Sequence, residues 1–447
     1  KKTDRLSVFE KIGYGLGDTA TNLVWRTLMV FLPIFYTDVF GLSAAAVGTL
    51  LLVCRYWDGI TDYIMGLIAD RTRTRWGQYR PWVLWTAVPF GVLTVLTFTT
   101  PALTGTAKLL YAYATYGGLI VVFTASNIPY SAMTGVMSAD PLERTSLSSY
   151  RFVCAFLGGL ITQGLNIYLV ACFGGGDNIK GYRLTMLLFA VLSTLLFVVT
   201  FLSTRERVRP TAVASASIRK DTRDLFRNRA WVVLFFVGLL FVTFTTLKQG
   251  VTMYYFKYYI QRVDLAAAFM VIGLLAAMLG AAVTRPLTQR FGKNRLMRYS
   301  LWLGLISSAL LYWPGPQDVA TIIILSSLTE FSTGPMVTLF FAMLADVADY
   351  GEWKNNRRAT ALVFSAGTLS MKFGTGIAGA FTGWLLTAFG YVANAQQSLA
   401  ALQGIRLLIS IIPAVAAAGL ILVFRYYIID EALLQRIHAD LAERQRQ

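Results

Sequence analysis

The chain is predicted to be an all-α polytopic membrane protein, with twelve transmembrane helices in two six-helix bundles and both termini cytoplasmic. Three observations predict this. Of 447 residues, 56% are hydrophobic and only 14% charged, with a mean hydropathy of +0.57, whereas soluble domains average about 25% charged residues. The apolar residues fall into runs of the roughly 20 residues that a helix needs to cross a bilayer. The basic residues crowd into alternate loops between those runs, which is the positive-inside pattern. The net charge of +17 therefore points to membrane topology and not to a nucleic-acid partner.

In chain order, the first six spans are expected near 12–40, 43–69, 81–100, 107–136, 147–173 and 184–203. The second six are expected near 230–259, 265–287, 296–313, 319–345, 360–389 and 402–427. Several exceed the minimum length, which permits tilt without fixing an angle. Basic residues gather at the N-terminus, in 71–80, 205–229 and 290–295, at Arg357 and Arg358, and after Arg425. The alternate loops, at 40–43, 101–106, 314–318 and 394–398, are nearly free of them, with Lys180 and Arg183 the main exceptions. An even number of spans then leaves both ends in the cytoplasm.

This divides the chain into a bundle 1–203, a cytoplasmic linker 204–229, a second bundle 230–427 and a tail 428–447. The linker is polar, contains Pro210 and changes composition sharply from both flanks, and its second part suits a helix lying on the membrane surface. The stretch D-R-T-R-T-R-W-G after the second span is echoed by Q-R-F-G-K-N-R after the eighth. Repeated six-span halves around a midplane site are a transporter plan. In the tail, Leu433, Leu434, Ile437 and Leu441 fall at helical spacing, which predicts an amphipathic helix. His438, the only histidine, sits there, so a proton relay through histidine is not expected. Cys54, Cys154 and Cys172 are too few and dispersed for a disulfide framework. The start, K-K-T-D-R, leads into an apolar span with no small-residue cleavage site close behind, so no cleavable signal peptide is expected.

The most informative stretch is R-Y-W-D-G-I-T-D, residues 55–62, which lies inside the second apolar run. On a helix, Asp58 and Asp62 are four apart and share one face, with Thr61 and Arg55 beside it. Ionisable groups inside a bilayer are costly and persist where they pair, line a cavity or bind an ion. An Arg55–Asp58 pair that only locks helices together would leave Asp62 unexplained. The stronger reading is a site for a small cation.

A set of motifs then carries a family resemblance. Y-G-L-G-D (14–18), F-Y-T-D-V-F-G (35–41), W-D-G-I-T-D (57–62), D-R-T-R-T-R-W-G-Q-Y-R-P-W (70–82), N-I-P-Y (127–130) and A-D-V-A-D-Y-G-E (345–352) occur in order along the chain. Together they resemble the glycoside–pentoside–hexuronide:cation symporters, whose best-known member is the melibiose permease and which carry the major facilitator fold. The resemblance implies a bacterial cytoplasmic-membrane symporter with no cofactor and no enzymatic activity. Its implied partners are a sugar or glycoside, a monovalent cation (Na+ or H+) and the lipid bilayer. Asp58 and Asp62 take the family's cation-binding positions, a possible Na+ site, helped by Thr61 and Thr124. Thr61 replaces an asparagine often seen in sodium-using members, which leaves the ion open: a hydroxyl can ligate sodium, and a carboxylate pair can carry a proton.

On the substrate side the chain departs from the melibiose-type pattern. Two aspartates are replaced by Asn22 and Asn127, which can hydrogen-bond sugar hydroxyls without carrying charge. Arg26 stands one turn after Asn22, Arg151 keeps the family's fifth-span arginine, and Lys248 lies mid-span. Thr368, Met371 and Lys372 match eleventh-span positions near the two sites, and Lys372 reads equally as a structural counter-charge for Asp58 or Asp62. Lost negative and added positive charge would suit an anionic sugar, such as a hexuronide or a sulfonated hexose, because a guanidinium grips a carboxylate or sulfonate bidentately. The alternative is a neutral glycoside or pentoside, with Asp18 neutralising Arg26 and Lys248 paired to Glu330. Trp25, Tyr130, Tyr254 and Tyr255 are candidates to stack on a sugar. Asp70, Arg71, Arg75, Arg144, Asp346 and Asp349 are expected to form a cytoplasmic charge network between the halves. A transporter-fold sensor and a lipid carrier are the competing functions.

Overall fold

The computed structural model describes residues 5–138, 140–208, 227–355 and 360–444. Arg357, Arg358, the first two lysines and most of the expected surface helix of the linker lie outside the described residues. Among those described, the chain is helical apart from turns and one isolated bridge between Thr74 and Gly77.

The first helix, α1 (Val8–Val30), starts at Ser7, whose hydroxyl accepts from the Glu10 amide. It continues through Leu32–Ile34 into a π-helical turn, Phe35–Val39. There follow α2 (Ala44–Arg71), α3 (Arg80–Thr97), α4 (Gly105–Met137), α5 (Pro141–Gly174) and α6 (Asn178–Ser203). The second series is α7 (Arg229–Tyr254), α8 (Asp264–Phe291), α9 (Lys293–Leu310), α10 (Val319–Asn355) and α11 (Thr360–Ala388). Next comes α12, broken at Ser410 into Leu399–Ile409 and Ile411–Phe424, and then the tail helix α13 (Glu431–Arg444). Seven of these helices are long and apolar enough to cross a membrane: α4, α5, α6, α7, α8, α10 and α12. α2 is not among them, as Arg55, Asp58 and Asp62 lower its apolar character.

Two compact units emerge. One comprises Lys1–Ala212 with Val263–Val271 and Ala393–Ala395; the other comprises Val213–Arg262, Ile272–Val392 and Gln396–Gln447. Within the first, α1 packs on α5 and α6, α3 packs on α4 and α6, and α2 packs on α4. Within the second, α7 packs on α11 and α12, and α9 packs on α10 and α12. The same partnerships, first helix with fifth and third with sixth, therefore recur. Each unit's first helix also ends in a π-helical turn, the second being Tyr255–Ile260.

The echoed loops share a device as well. Gly77 and Gly292 both have positive φ, which glycine adopts without the clash of a Cβ. In each case a Cβ would run into a glutamate carboxylate, Glu206 for Gly77 and Glu431 for Gly292. Glu206 accepts from the amides of Gln78, Tyr79 and Arg80, satisfying donors that the start of α3 would otherwise leave open. Arg207 meanwhile grips Glu10 with two nitrogens, at 2.7 and 2.9 Å. The first residues of the expected linker thus belong structurally to the first unit. In the second unit, Ile437 of α13 is fully buried, and Leu433, Leu434 and Leu441 pack against the unit's core. The Trp353 indole of α10 donates to Asp440 of α13.

Candidate functional site

The stripe Cys54, Asp58, Thr61, Met65 and Ala69 forms the buried face of α2, while Trp57, Ile60, Tyr63 and Ile64 are exposed. Helical periodicity thus turns Asp58 inward, where it is fully buried, and leaves Asp62 half-buried one turn on. Across from them, α4 brings Thr124. Its hydroxyl lies 2.9 Å from Asp58 Oδ1 and 3.1 Å from Asp62 Oδ1.

A threonine hydroxyl has one proton to give, yet two carboxylates close on it. It donates to one of them at a time. The second short contact is favourable when that carboxyl is itself protonated, or when a cation sits among the oxygens. The geometry can therefore hold one positive charge, as Na+ or as H+. Arg55 supplies the nearby counter-charge, 3.5 Å from Asp58 Oδ2 and itself buried. The Thr61 hydroxyl donates to the Asp58 backbone carbonyl at 3.1 Å, so it braces the helix at the acids.

The Arg55 guanidinium also lies over Trp25 of α1, 4.2 Å from the ring centroid. Phe123 of α4 stacks on the same indole at 4.3 Å. Two planar groups that close to one centroid occupy opposite faces, so neither face of Trp25 is left for a sugar. Sequence reasoning missed this use of Trp25, since no spacing rule links residues 25, 55 and 123.

The other aromatic candidates are also committed to packing. Tyr130 is buried, stacks on Tyr14 at 4.7 Å and donates to the Tyr14 carbonyl. Tyr254 and Tyr255 are buried against Tyr391 and Tyr259.

On α1, Asp18, Asn22 and Arg26 stand one turn apart. Asp18 receives Arg151 Nε of α5 at 2.6 Å, and the Arg151 guanidinium lies over Tyr130. The expected partnership of Asp18 with Arg26 is thus corrected in one respect, because its bonded arginine is Arg151. Asn22 is half-buried and donates to the Asp18 carbonyl, while Arg26 and Asn127 are half-buried on α1 and α4.

In the second unit, Lys248 is 2% exposed and meets Glu330 at 3.1 Å and Ser326 at 3.2 Å. This is the pairing expected if Lys248 is a structural charge. On α11, Thr368 is exposed and donates to the Ser365 carbonyl, Met371 packs at the edge of the core, and Lys372 is half-buried.

Several members of the expected charge network make contacts inside their own unit. Asp70 accepts from the Tyr79 hydroxyl at 2.9 Å. Burial, helped by Asp70, raises the Tyr79 phenol above its ordinary range. Arg71 closes α2, where a cation suits the negative end of the helix dipole, and Arg75 lies over Trp76. Arg144 donates to the carbonyls of Ser138 and Gly135. In the second unit Asp346 takes Lys293 at 2.7 Å, and Asp349 follows one turn later on α10.

Comparison with known proteins bears on the family of the chain. A family model described as MFS/sugar transport protein matches residues 13–431. The chain is 38% identical to the putative glycoside/cation symporter YagG of Escherichia coli K12, over 98% of this chain and 95% of that protein. It is 37% identical to an isoprimeverose transporter of Lactiplantibacillus pentosus, over 98% and 92% of the two chains. Among solved structures, a bacterial homologue of the human lysosomal transporter Spinster superposes with a TM-score of 0.68. That likeness, at 15% identity, covers 96% of this chain and 98% of that one and concerns the fold.

Proposed function

The chain belongs to the MFS/sugar transport protein family, among its glycoside–pentoside–hexuronide:cation symporters, and on that premise we propose how it couples a glycoside to an ion. It is a multi-pass inner-membrane transporter and not an enzyme. We read it as twelve spans with cytoplasmic termini, working by alternating access. One observation carries the ion site: a single hydroxyl, Thr124, lies within hydrogen-bond distance of both Asp58 and Asp62. A monovalent cation or proton taken up there would loosen the hold of Asp58 on Arg55. Arg55 rests on Trp25, and Trp25 precedes Arg26 and follows Asn22 by three residues on α1. Ion binding on α2 and α4 is thereby felt where α1 presents its polar stripe, and each ligand favours the other by the same free energy.

For the substrate, the contacts favour a neutral glycoside. The anionic expectation drew on two lost acids, at Asn22 and Asn127, and on added positive charge at Arg26 and Lys248. Lys248 is matched by Glu330, and the retained Arg151 by Asp18, which leaves Arg26 as the added charge. Asn22 and Asn127 suit uncharged hydroxyls. The second reading, an acidic sugar, rests on Arg26, half-buried on the Asn22 face.

Sugar-stimulated ion uptake by proteoliposomes tests the coupling. Stimulation by a transported glycoside under Na+ or H+ is expected, and sugar flux with no ion movement would refute it. Arg26→Ala separates the two substrates. Similar changes for a neutral xyloside and a glucuronide are expected, and a selective loss of the glucuronide would restore the acidic reading.

A further inference from the structure

At one end of the first unit, the α2–α3 loop and the residues after α6 enclose a cavity of about 890 Å³. Its walls carry Arg73, Arg75, Arg80, Arg205 and Arg207 against one acid, Glu206. That acid is engaged by three backbone amides, and with Arg207 held by Glu10 the other four arginines still outnumber it. Burial, followed by the charge of Arg205, pushes the Arg80 guanidinium below its ordinary range, with Glu206 opposing. An anion between the arginines would relieve this repulsion.

A second feature lies along the same two helices. Val88 and Val92 of α3, with Val191 and Leu195 of α6, line an apolar groove of about 400 Å³. These four side chains are 49–60% exposed. The groove begins and ends at matching depths: its residues lie roughly eight to sixteen positions from Arg80 on α3 and from Ser203 on α6. At the helical rise this is about 12–24 Å from the arginine cavity. Exposed Leu202 and Trp85 lie between the two features. Phosphate chemistry at the cavity and acyl-chain chemistry at the groove thus follow one another along the same two helices.

We propose that this flank of the first unit is a binding site for an anionic phospholipid, its phosphate held by Arg73, Arg80 and Arg205 and an acyl chain laid in the α3–α6 groove. Basic pockets at the ends of membrane helices hold anionic headgroups by such charge complementarity, and guanidiniums match phosphate oxygens in pairs. A free phosphate would use the same arginines but would leave the groove without a role.

Native mass spectrometry of the full-length protein tests this, with phosphatidylglycerol, phosphatidylcholine or glycerol 3-phosphate added in equal amounts. Phosphatidylglycerol is expected to be retained roughly tenfold over phosphatidylcholine. That preference should vanish in the double variant Arg73→Gln/Arg205→Gln and persist in Lys108→Gln, whose ammonium lies near Phe40 at the other end of the unit. Equal retention of the two lipids by the parent would overturn the proposal, and this comparison needs no variant to fold. A preference that survives the double variant would also overturn it. Glycerol 3-phosphate bound as tightly as phosphatidylglycerol would mark a soluble-phosphate site and refute the lipid.

Discussion

Two sets of buried charges, one in each unit, answer the same physical problem in opposite ways. Lys248 of α7 meets one acid, Glu330, and one hydroxyl, Ser326: one base beside one acid. On α2, one guanidinium stands beside Asp58, and one hydroxyl on α4 serves both Asp58 and Asp62. Adding a cation to the first set would place it beside a buried ammonium; adding it to the second would place it among the oxygens of Asp58, Asp62 and Thr124. Burial of ions does not by itself mark a transport site, since each set has a buried member. The hydroxyl shared by two carboxyls separates them.

The largest expected effect breaks the α2 side of that contrast. Replacing Asp58 with Cys removes one of the two acids and frees Arg55 from its partner. Accumulation of sugar in vesicles under an imposed ion gradient should be abolished, while some sugar binding remains. Undiminished accumulation would dismiss Asp58 from the ion site. On the α7 side the expected loss is one of stability. Glu330→Gln leaves a buried ammonium without its acid, which costs on the order of 3 kcal/mol where such pairs have been broken. The double variant Lys248→Met/Glu330→Gln should regain most of that loss in thermal unfolding, because no buried charge is then stranded. If the double variant is as unstable as the single one, the pair is not a closed structural unit.

A smaller change isolates the shared proton. Thr124→Val keeps shape but removes the hydroxyl, and a hydrogen bond to a charged group is worth about 1.5–3 kcal/mol. Activation by the coupling ion should weaken roughly tenfold, while sugar affinity measured without the ion stays near the parent's. Thr124→Ser should restore activation. Equal responses of the Val and Ser variants would mean that the hydroxyl takes no part.

The sequence made the apolar runs, the repeat and the acid pair legible, because each is written in a short-range pattern. Asp58 and Asp62 are four apart, so any helix aligns them, and Thr124 followed from the family resemblance. Longer-range partnerships were not legible. The capture of Arg151 by Asp18 joins residues 133 apart, and Trp25 takes its two neighbours from α2 and α4. The contacts made by the first linker residues were illegible for a related reason. Composition marks 204–229 as polar throughout, but it cannot say that Glu206 fits over Gly77 and Arg207 over Glu10. Lys248 was readable as a charge needing an explanation, and the choice between substrate and Glu330 required coordinates.

The smallest effect belongs to an ion pair outside the spans, which shows what solvent does to the same chemistry. Glu143, near the start of α5, meets Lys11 at 2.9 Å and accepts the Leu6 amide at 3.2 Å. The hydrogen bond from Lys11 lowers its carboxyl below the ordinary value of 4.5. A carboxyl that is more acidic in the folded state stabilises that state above its unfolded pKa, and this contribution is lost as the pH falls through the folded value. Neutral pH therefore retains all of the contact, and only acid below the ordinary carboxyl range releases it. The pair tethers one short segment outside the spans, so global unfolding should hardly respond. The local readout is proteolysis of the segment before α1, which should quicken below about pH 4 in the parent and be pH-independent over that window in Glu143→Gln. If acid leaves the parent's cleavage rate unchanged, Glu143 does not tether that segment; if it lowers the melting temperature as much as Glu330→Gln does, the distinction between pairs outside and inside the spans fails.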